Sequence, residues 1–329
     1  MPESYQDQIR VMSVNHTGLP IPLLIDDEHS AYGYRPTFWI CILYVALFST
    51  TLVIHVWQTI SSRYWFLVPT VILGAVLEVL GWAGRLWSSR DLGLRDPFMM
   101  QICCLILGPT PLLAANFVIF GRLVGALGEG FSRLRPRFYT YVFLSCDIVS
   151  LVLQGIAGGF AATADPGTSQ YDLGTNLMVA GIGLQVAMMT IFVILVGEYT
   201  VRYINDRPLK RYRTTQNRST GTQSMRRFPL DTRRQVLLFA MGITTLLLFI
   251  RAIYRLIELS GGWQSQVART QWLFNVFDAA LVTVAFFTWN VAHPSRLLVG
   301  HPGEIDVRMK EKTGGALDRS HSGSDESSA

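Results

Sequence analysis

Seven uninterrupted apolar runs, each about 20 residues long, constrain this 329-residue chain more than any other feature. They cover Phe38–Trp57, Tyr64–Trp82, Phe98–Gly121, Phe138–Ala161, Leu177–Val196, Gln235–Leu256 and Trp272–Asn290. A bilayer core is roughly 30 Å thick, which a helix of that length just spans. Lipid offers backbone groups no partners, so a crossing segment must satisfy its own N–H and C=O groups as a helix. The expected fold is therefore an all-α membrane protein, a bundle of seven transmembrane helices. Composition agrees: 50% of residues are hydrophobic and 16% charged, against about a quarter charged in soluble domains. Tryptophans 39, 57, 65, 82, 263 and 272 fall near span ends, where an interfacial belt is expected.

The charges between spans set an expected orientation. Of 28 Lys and Arg residues, 20 fall in loops 1–2, 3–4, 5–6 and the C-terminal tail, and six on the other side. Positive-inside bias then places the N-terminus outside and the C-terminus in the cytosol. Residues 1–36 read as an extracellular polar tail, 37–292 as the membrane domain, and 293–329 as a disordered cytosolic tail. Asn15-His16-Thr17 is a glycosylation sequon on the outer side. Loop 197–234 carries ten basic residues. It is expected to lean on anionic inner-leaflet lipid, or to dock a cytosolic partner. With the basic charge gathered in loops, no nucleic acid is expected as a partner.

Ionisable groups inside spans are costly in hydrocarbon and mark function or internal pairing. Arg251, Arg255 and Glu258 share one stripe of the sixth span, since positions four and seven apart return to the same helix face. Glu78 and Arg85 lie seven apart in the second, as do Asp147 and Gln154 in the fourth. Gln185 sits midway along the fifth and Asp278 in the outer half of the seventh. Register places Glu78, Gln154, Arg251 and Asp278 at a common outer depth, with Arg85 and Glu258 above them. For any one residue a structural ion pair, Glu78 against Arg251 for example, and a solute path fit equally; the convergence of four helices at one depth favours a polar cavity open to the outside. Gly108-Pro109-Thr110-Pro111 should kink the third span, because each of Pro109 and Pro111 removes a backbone donor. Gly121-x-x-x-Gly125 and Gly155–Gly159 would allow close helix approach.

Several classes are excluded or unsupported. The lysines are Lys210, Lys310 and Lys312, all outside the spans, so none can form a retinal Schiff base. Of six histidines only His55 lies within a span, where it reads as a satisfied packing residue, and no metal site is expected. No phosphate-cradling loop, catalytic constellation or cofactor motif is present, so the chain is not expected to be an enzyme. Cys41, Cys103, Cys104 and Cys146 all lie in spans, leaving none for the disulfide that a rhodopsin-like receptor would carry in loop 4–5.

The motifs together resemble a known family. Glu78-x-x-Gly81-Trp82-x-x-Arg85, Gly108-Pro109 with Gly121-Arg122, Asp147 to Gln154 with Gly158-Gly159, and Gln185 fit it. So do Arg251-x-x-Tyr254-Arg255-x-x-Glu258 with Gly261, and Asp278 followed by His293-Pro294. The chain looks like the fungal lipid-translocating exporters, the resistance-to-aminocholesterol type of seven-helix protein. That resemblance implies an outside N-terminus, a multi-pass location chiefly in the plasma membrane, and a role in lipid movement, sphingoid-base release or resistance to toxic amphiphiles. Trp82 and Phe117 stand where members often carry tyrosine, and Gln271 where an acid is usual.

The expected function is translocation of an amphipathic solute, sphingoid-base-like or sterol-like, with the bilayer and that solute as partners. The alternative is a seven-helix receptor or sensor signalling through the basic loop.

Overall fold

A computed structural model describes residues 32, 34–92, 94–163, 168–209, 231–261 and 265–297. Seven helices among them are long and apolar enough to cross a membrane. They are α1 (Phe38–Ser62), α2 (Trp65–Ser88), α3 (Asp96–Leu127), α4 (Pro136–Phe160), α5 (Ser169–Ile204), α6 (Thr232–Ser260) and α7 (Gln271–Val291). No strand occurs among the described residues. Asn15, most of the basic loop 197–234 and nearly all of the C-terminal tail lie outside the described residues.

Consecutive helices pack side by side, and α7 closes the ring by packing on both α6 and α1. The third helix sits at the centre: 72% of its most apolar window is buried, against 22% for α1. Thr37 at the start of α1 donates to Gln271 Oε1 at the start of α7 (3.1 Å), and Gln58 donates to the Asn290 carbonyl near both helix ends (2.9 Å). These two helices therefore run parallel. Their shared starting side is called the near end below, and the opposite side the far end.

Helices extend past the apolar runs. The fifth covers 36 residues rather than the 20 of Leu177–Val196, so both edges of the expected loop 197–234 are helical. Short fully apolar runs locate the hydrocarbon, whereas intrahelical hydrogen bonding continues into water. Trp39, Trp57, Trp65 and Trp272 are exposed on the outer surface of the bundle, as a lipid-facing belt requires. Trp82 is instead fully buried, against Tyr44 and Phe274. Residues His293–Leu297, expected to open a disordered tail, fold back: His293, Pro294 and Ser295 are buried and a last turn spans Pro294–Leu297.

Small residues let α2 approach α3. A Cβ on Gly74 would fall 2.7 Å from the Gly108 carbonyl oxygen, which only glycine avoids. Gly121 likewise packs on the Pro136 carbonyl, and in the Gly155–Gly159 stretch a Cβ on Gly158 would meet Cys103 Sγ at 3.4 Å while one on Gly155 would meet open space.

Three irregular turns matter for the site. Helical hydrogen bonding is interrupted at Gly108, although its φ of −54° and ψ of −49° remain helical. The Gly-Pro-Thr-Pro break is thus a loss of backbone donors rather than an excursion of the chain. Wide π turns interrupt α2 at Val68–Ile72 and α7 at Asn275–Ala280. Such turns recur at functional positions, and the second contains Asp278.

Candidate functional site: a buried polar cluster at the near end

The stripe of α6 does meet an acid, and that acid is Asp278. Its carboxylate accepts from Arg251 Nε (2.8 Å), Arg255 Nε (3.0 Å) and Arg255 Nη2 (2.7 Å). The Arg255 contact is bidentate, the geometry in which guanidinium and carboxylate bind most strongly. Arg255 Nη1 reaches Glu258 Oε2 at 2.9 Å, and Tyr254 donates to the other oxygen of Glu258. All of these side chains are buried.

Arg251 uses its Nη2 on the backbone carbonyl of Leu105. The reason lies four residues further along α3: the usual donor to that carbonyl would be the N–H of residue 109, which is a proline. At Leu105 the helix break does not leave a bare carbonyl. It creates an acceptor that holds Arg251.

Arg85 is a different case. Its side chain is 1% exposed, yet no carboxylate among the described residues pairs with it. It donates to Tyr34 Oη (2.7 Å) and Gln101 Oε1 (3.2 Å), while its Nε has no partner. Aromatic faces take up the charge: the guanidinium lies 4.4 Å from the Phe274 ring centre, 5.4 Å from Tyr32 and 5.8 Å from Trp82. Phe274 also carries Arg255 at 5.0 Å, which joins the Arg85 box to the ion-pair network. A cavity of about 50 Å³ lies between them, lined by Tyr34, Arg85, Gln101, Arg255, Glu258 and Phe274 among others. That volume admits a few water-sized groups.

Tyr32 and Tyr34 come from the segment assigned to the polar tail. Tyr32 is buried and donates to Gln101 Oε1 at 2.7 Å. Burial pushes its phenol up to about 12, so it stays a hydrogen-bond donor. Nothing periodic in the tail signalled this closure. Gln101 was legible as a lone amide in an apolar run, as was Asn116, which accepts from Trp289 Nε1 and donates to Thr244 and Thr245.

The remaining expected residues separate. Glu78 is buried against Gly108, where an added Cβ would fall 2.7 Å from its Oε1. It makes no salt bridge within the described residues, and Arg251 pairs with Asp278 in its place. Gln154 donates to Gln185 (3.3 Å), and Gln185 to Thr110 (3.1 Å), a relay across α4, α5 and α3 apart from the ion pairs. Of the four residues expected at one outer depth, Arg251 and Asp278 bond each other, Gln154 belongs to the amide relay, and Glu78 has no ion pair among the described residues. Asp147 joins neither the ion pairs nor the relay: it is 2% exposed and its Oδ2 has no partner. Pro111 is buried with the rest of the α3 centre. All four cysteines are free, and no cluster of metal-ligating side chains occurs among the described residues.

Fold and site define a multi-pass helical membrane protein that holds an ion-pair network inside its bundle. Residues 71–301 match the family model described as RTA1 like protein, and the chain belongs to that family, the fungal lipid-translocating exporters. It is similar to the sphingoid long-chain base transporter RSB1 of Saccharomyces cerevisiae strain Lalvin EC1118, 29% identical over 85% of this chain and 78% of the relative. Protein RTA1 of Saccharomyces cerevisiae strain ATCC 204508 / S288c is 29% identical over 68% of this chain and 64% of its own length. Protein RTM1 of Saccharomyces cerevisiae is 26% identical, covering 69% and 67%. No solved structure matches.

Proposed function

We propose that the protein moves a single-chain amphiphile with a small amino-alcohol head, sphingoid-base-like, across the plasma membrane, and so gives resistance to such compounds. The observation carrying this reading is Arg85: a fully buried cation without a carboxylate partner among the described residues, with an unused Nε, beside a small cavity that Glu258 also lines. A hydroxyl can accept from Arg85 while an amine donates to Glu258 or Gln101. The chain of such a solute would remain in lipid, since about 50 Å³ holds only a head. Similarity to a named sphingoid long-chain base transporter supports the same solute class.

The loop charges support an outside N-terminus and cytosolic C-terminus, which places the near end at the outer face. Asn15 would then be glycosylated, and segment 197–234 would face anionic lipid or a cytosolic partner. Uphill movement without a nucleotide site calls for an ion gradient. Asp278 is locked by three guanidinium hydrogen bonds, which leaves Asp147 and Glu78, neither ion-paired among the described residues, as the proton carriers to test.

The test is efflux of a labelled sphingoid base from fungal cells lacking the protein, carrying wild type, or carrying Arg85→Gln. Efflux restored by wild type and cut about tenfold or more by Arg85→Gln at equal surface amount is expected, the loss of one charged contact. Equal efflux in all three strains would contradict the reading.

A further inference from the structure

At the far end of the α1–α7 seam lies a second polar cluster, and its chemistry is the reverse of the first. One stripe of α1 carries His55, Thr59 and Ser62, at helical spacings of four and three. It faces the stripe of α7 that carries Phe286 and Asn290, with His293 just beyond. The two stripes are stitched by His55 Nε2 to the Phe286 carbonyl (3.3 Å) and Gln58 Nε2 to the Asn290 carbonyl (2.9 Å). Asn290 needs that donor because the residue four further on is Pro294, which has no N–H.

Of the buried side-chain atoms left without a hydrogen-bond partner among the described residues, seven sit here. They are His55 Nδ1, Gln58 Oε1, Thr59 Oγ1, Ser62 Oγ, both side-chain atoms of Asn290, and His293 Nε2. Buried polar atoms are nearly always partnered, and His55, Thr59, Asn290 and His293 are each more than nine-tenths buried. Such a concentration is not packing noise. The expectation that His55 is a satisfied packing residue fails for its Nδ1.

Proton placement follows from the partners. A carbonyl only accepts, so His55 Nε2 carries the hydrogen and Nδ1 presents a bare lone pair. His293 Nδ1 receives Ser295, through its backbone N–H (3.4 Å) and its hydroxyl (2.7 Å), so Nε2–H is the free donor. Among the described residues no acid or arginine hydrogen-bonds to these atoms; Arg296, near His293, and Arg63, next to Ser62, are exposed. The cluster is a set of neutral acceptors and donors.

It also stands at the right place. His55 lies 17 residues along α1 from Phe38, about 25 Å at 1.5 Å per residue, nearly the full hydrocarbon thickness from the near-end cavity. Phe48, buried on α1 between Phe38 and His55, stands between the two.

We propose that the far-end cluster of His55, Thr59, Asn290 and His293 is a second binding site, which takes the uncharged, hydroxyl-bearing form of an amino-alcohol head. This rests on the transport reading above and adds the opposite station of the path. The near-end site offers charges and suits an ionised or phosphorylated head as well. The far-end site has no buried countercharge among the described residues, its nearest arginines being exposed, and disfavours a phosphate, whose desolvation neutral groups do not offset.

Equilibrium binding of a radiolabelled long-chain aminodiol, and of its phosphate ester, to the full chain in nanodiscs tests it. Wild type is expected to bind the aminodiol with two resolved affinities and the phosphate ester with one. Asn290→Leu, and the near-isosteric Thr59→Val as a variant that keeps the packing, should each lose or weaken about tenfold one aminodiol affinity and leave the phosphate ester unchanged. If wild type binds the aminodiol and Asn290→Leu and Thr59→Val keep both affinities, the cluster holds only water and the second site is overturned. If wild type binds no aminodiol at all, the transport reading falls and the second site with it.

Discussion

The two ends of α7 solve the problem of polar groups in a membrane in opposite ways. At the near end Asp278 is a charge with every demand met: three guanidinium hydrogen bonds at 2.7–3.0 Å reach its two oxygens. At the far end Asn290 carries no charge and its side-chain amide has no partner. A charge in this interior cannot be left unpaired, because its desolvation would cost several kcal/mol. A neutral amide can wait for a ligand at much smaller cost. On the proposed reading ionic groups fix the bundle, and unpaired groups are the ones that act. Arg85 stands between these cases, charged but served by tyrosines, an amide and aromatic faces.

The largest effect is therefore expected from breaking the ionic end. Asp278→Ala strands two guanidinium groups and should lower stability by about 3–5 kcal/mol, read as a drop in thermal unfolding temperature in detergent or as loss from the membrane. A near-normal melting temperature would mean that the arginines find other partners. Arg251→Ala should cost less, about 2–3 kcal/mol, because Arg255 still holds Asp278. It also leaves the Leu105 carbonyl bare. Adding Pro109→Ala returns the missing N–H, so the double variant should recover about 1 kcal/mol in a mutant cycle. Strict additivity would deny the link between the proline and the arginine.

Changes at the neutral end should be small. Asn290→Leu removes only unpartnered atoms and is expected to leave stability within about 1 kcal/mol of wild type, or slightly above it. The same end should show a pH effect at His293, which burial, with Arg296 nearby, holds down at about 4. Its ordinary value is about 6.5, so the unfolded chain binds the extra proton first. Stability should thus be complete above pH ~6.5 and decline as pH falls towards ~4, and His293→Asn should show less of that decline. An acid limb unchanged in the variant would place its origin elsewhere.

Much of this contrast was legible in the sequence. Run length alone located seven helices, and the spacing of Arg251, Arg255 and Glu258 fixed one face of α6. Asp278, the only acid of the seventh span, was a natural partner. What could not be read was which groups meet. Glu78 and Asp278 are both acids near Arg251, and only the packing of α2, α6 and α7 around the α3 break decides between them. The Leu105 carbonyl is invisible to any pattern of side chains. Tyr32 and Tyr34 sit in a segment without periodicity, and His293 in one whose composition reads as tail. Polar residues in spans announced themselves; closing contacts from irregular segments did not.

Unpaired groups inside a charge-locked bundle are proposed to move an amphiphile head across the bilayer, and reconstitution tests that most directly. Purified wild type, Arg85→Gln and Asn290→Leu would be placed in vesicles carrying a fluorescent long-chain aminodiol in one leaflet, and its appearance in the other followed with time. Wild type is expected to speed the exchange well above empty vesicles, with both variants slowed about tenfold while melting close to wild type. Exchange in wild-type vesicles no faster than in empty ones, for this head and for its phosphate ester, would contradict it.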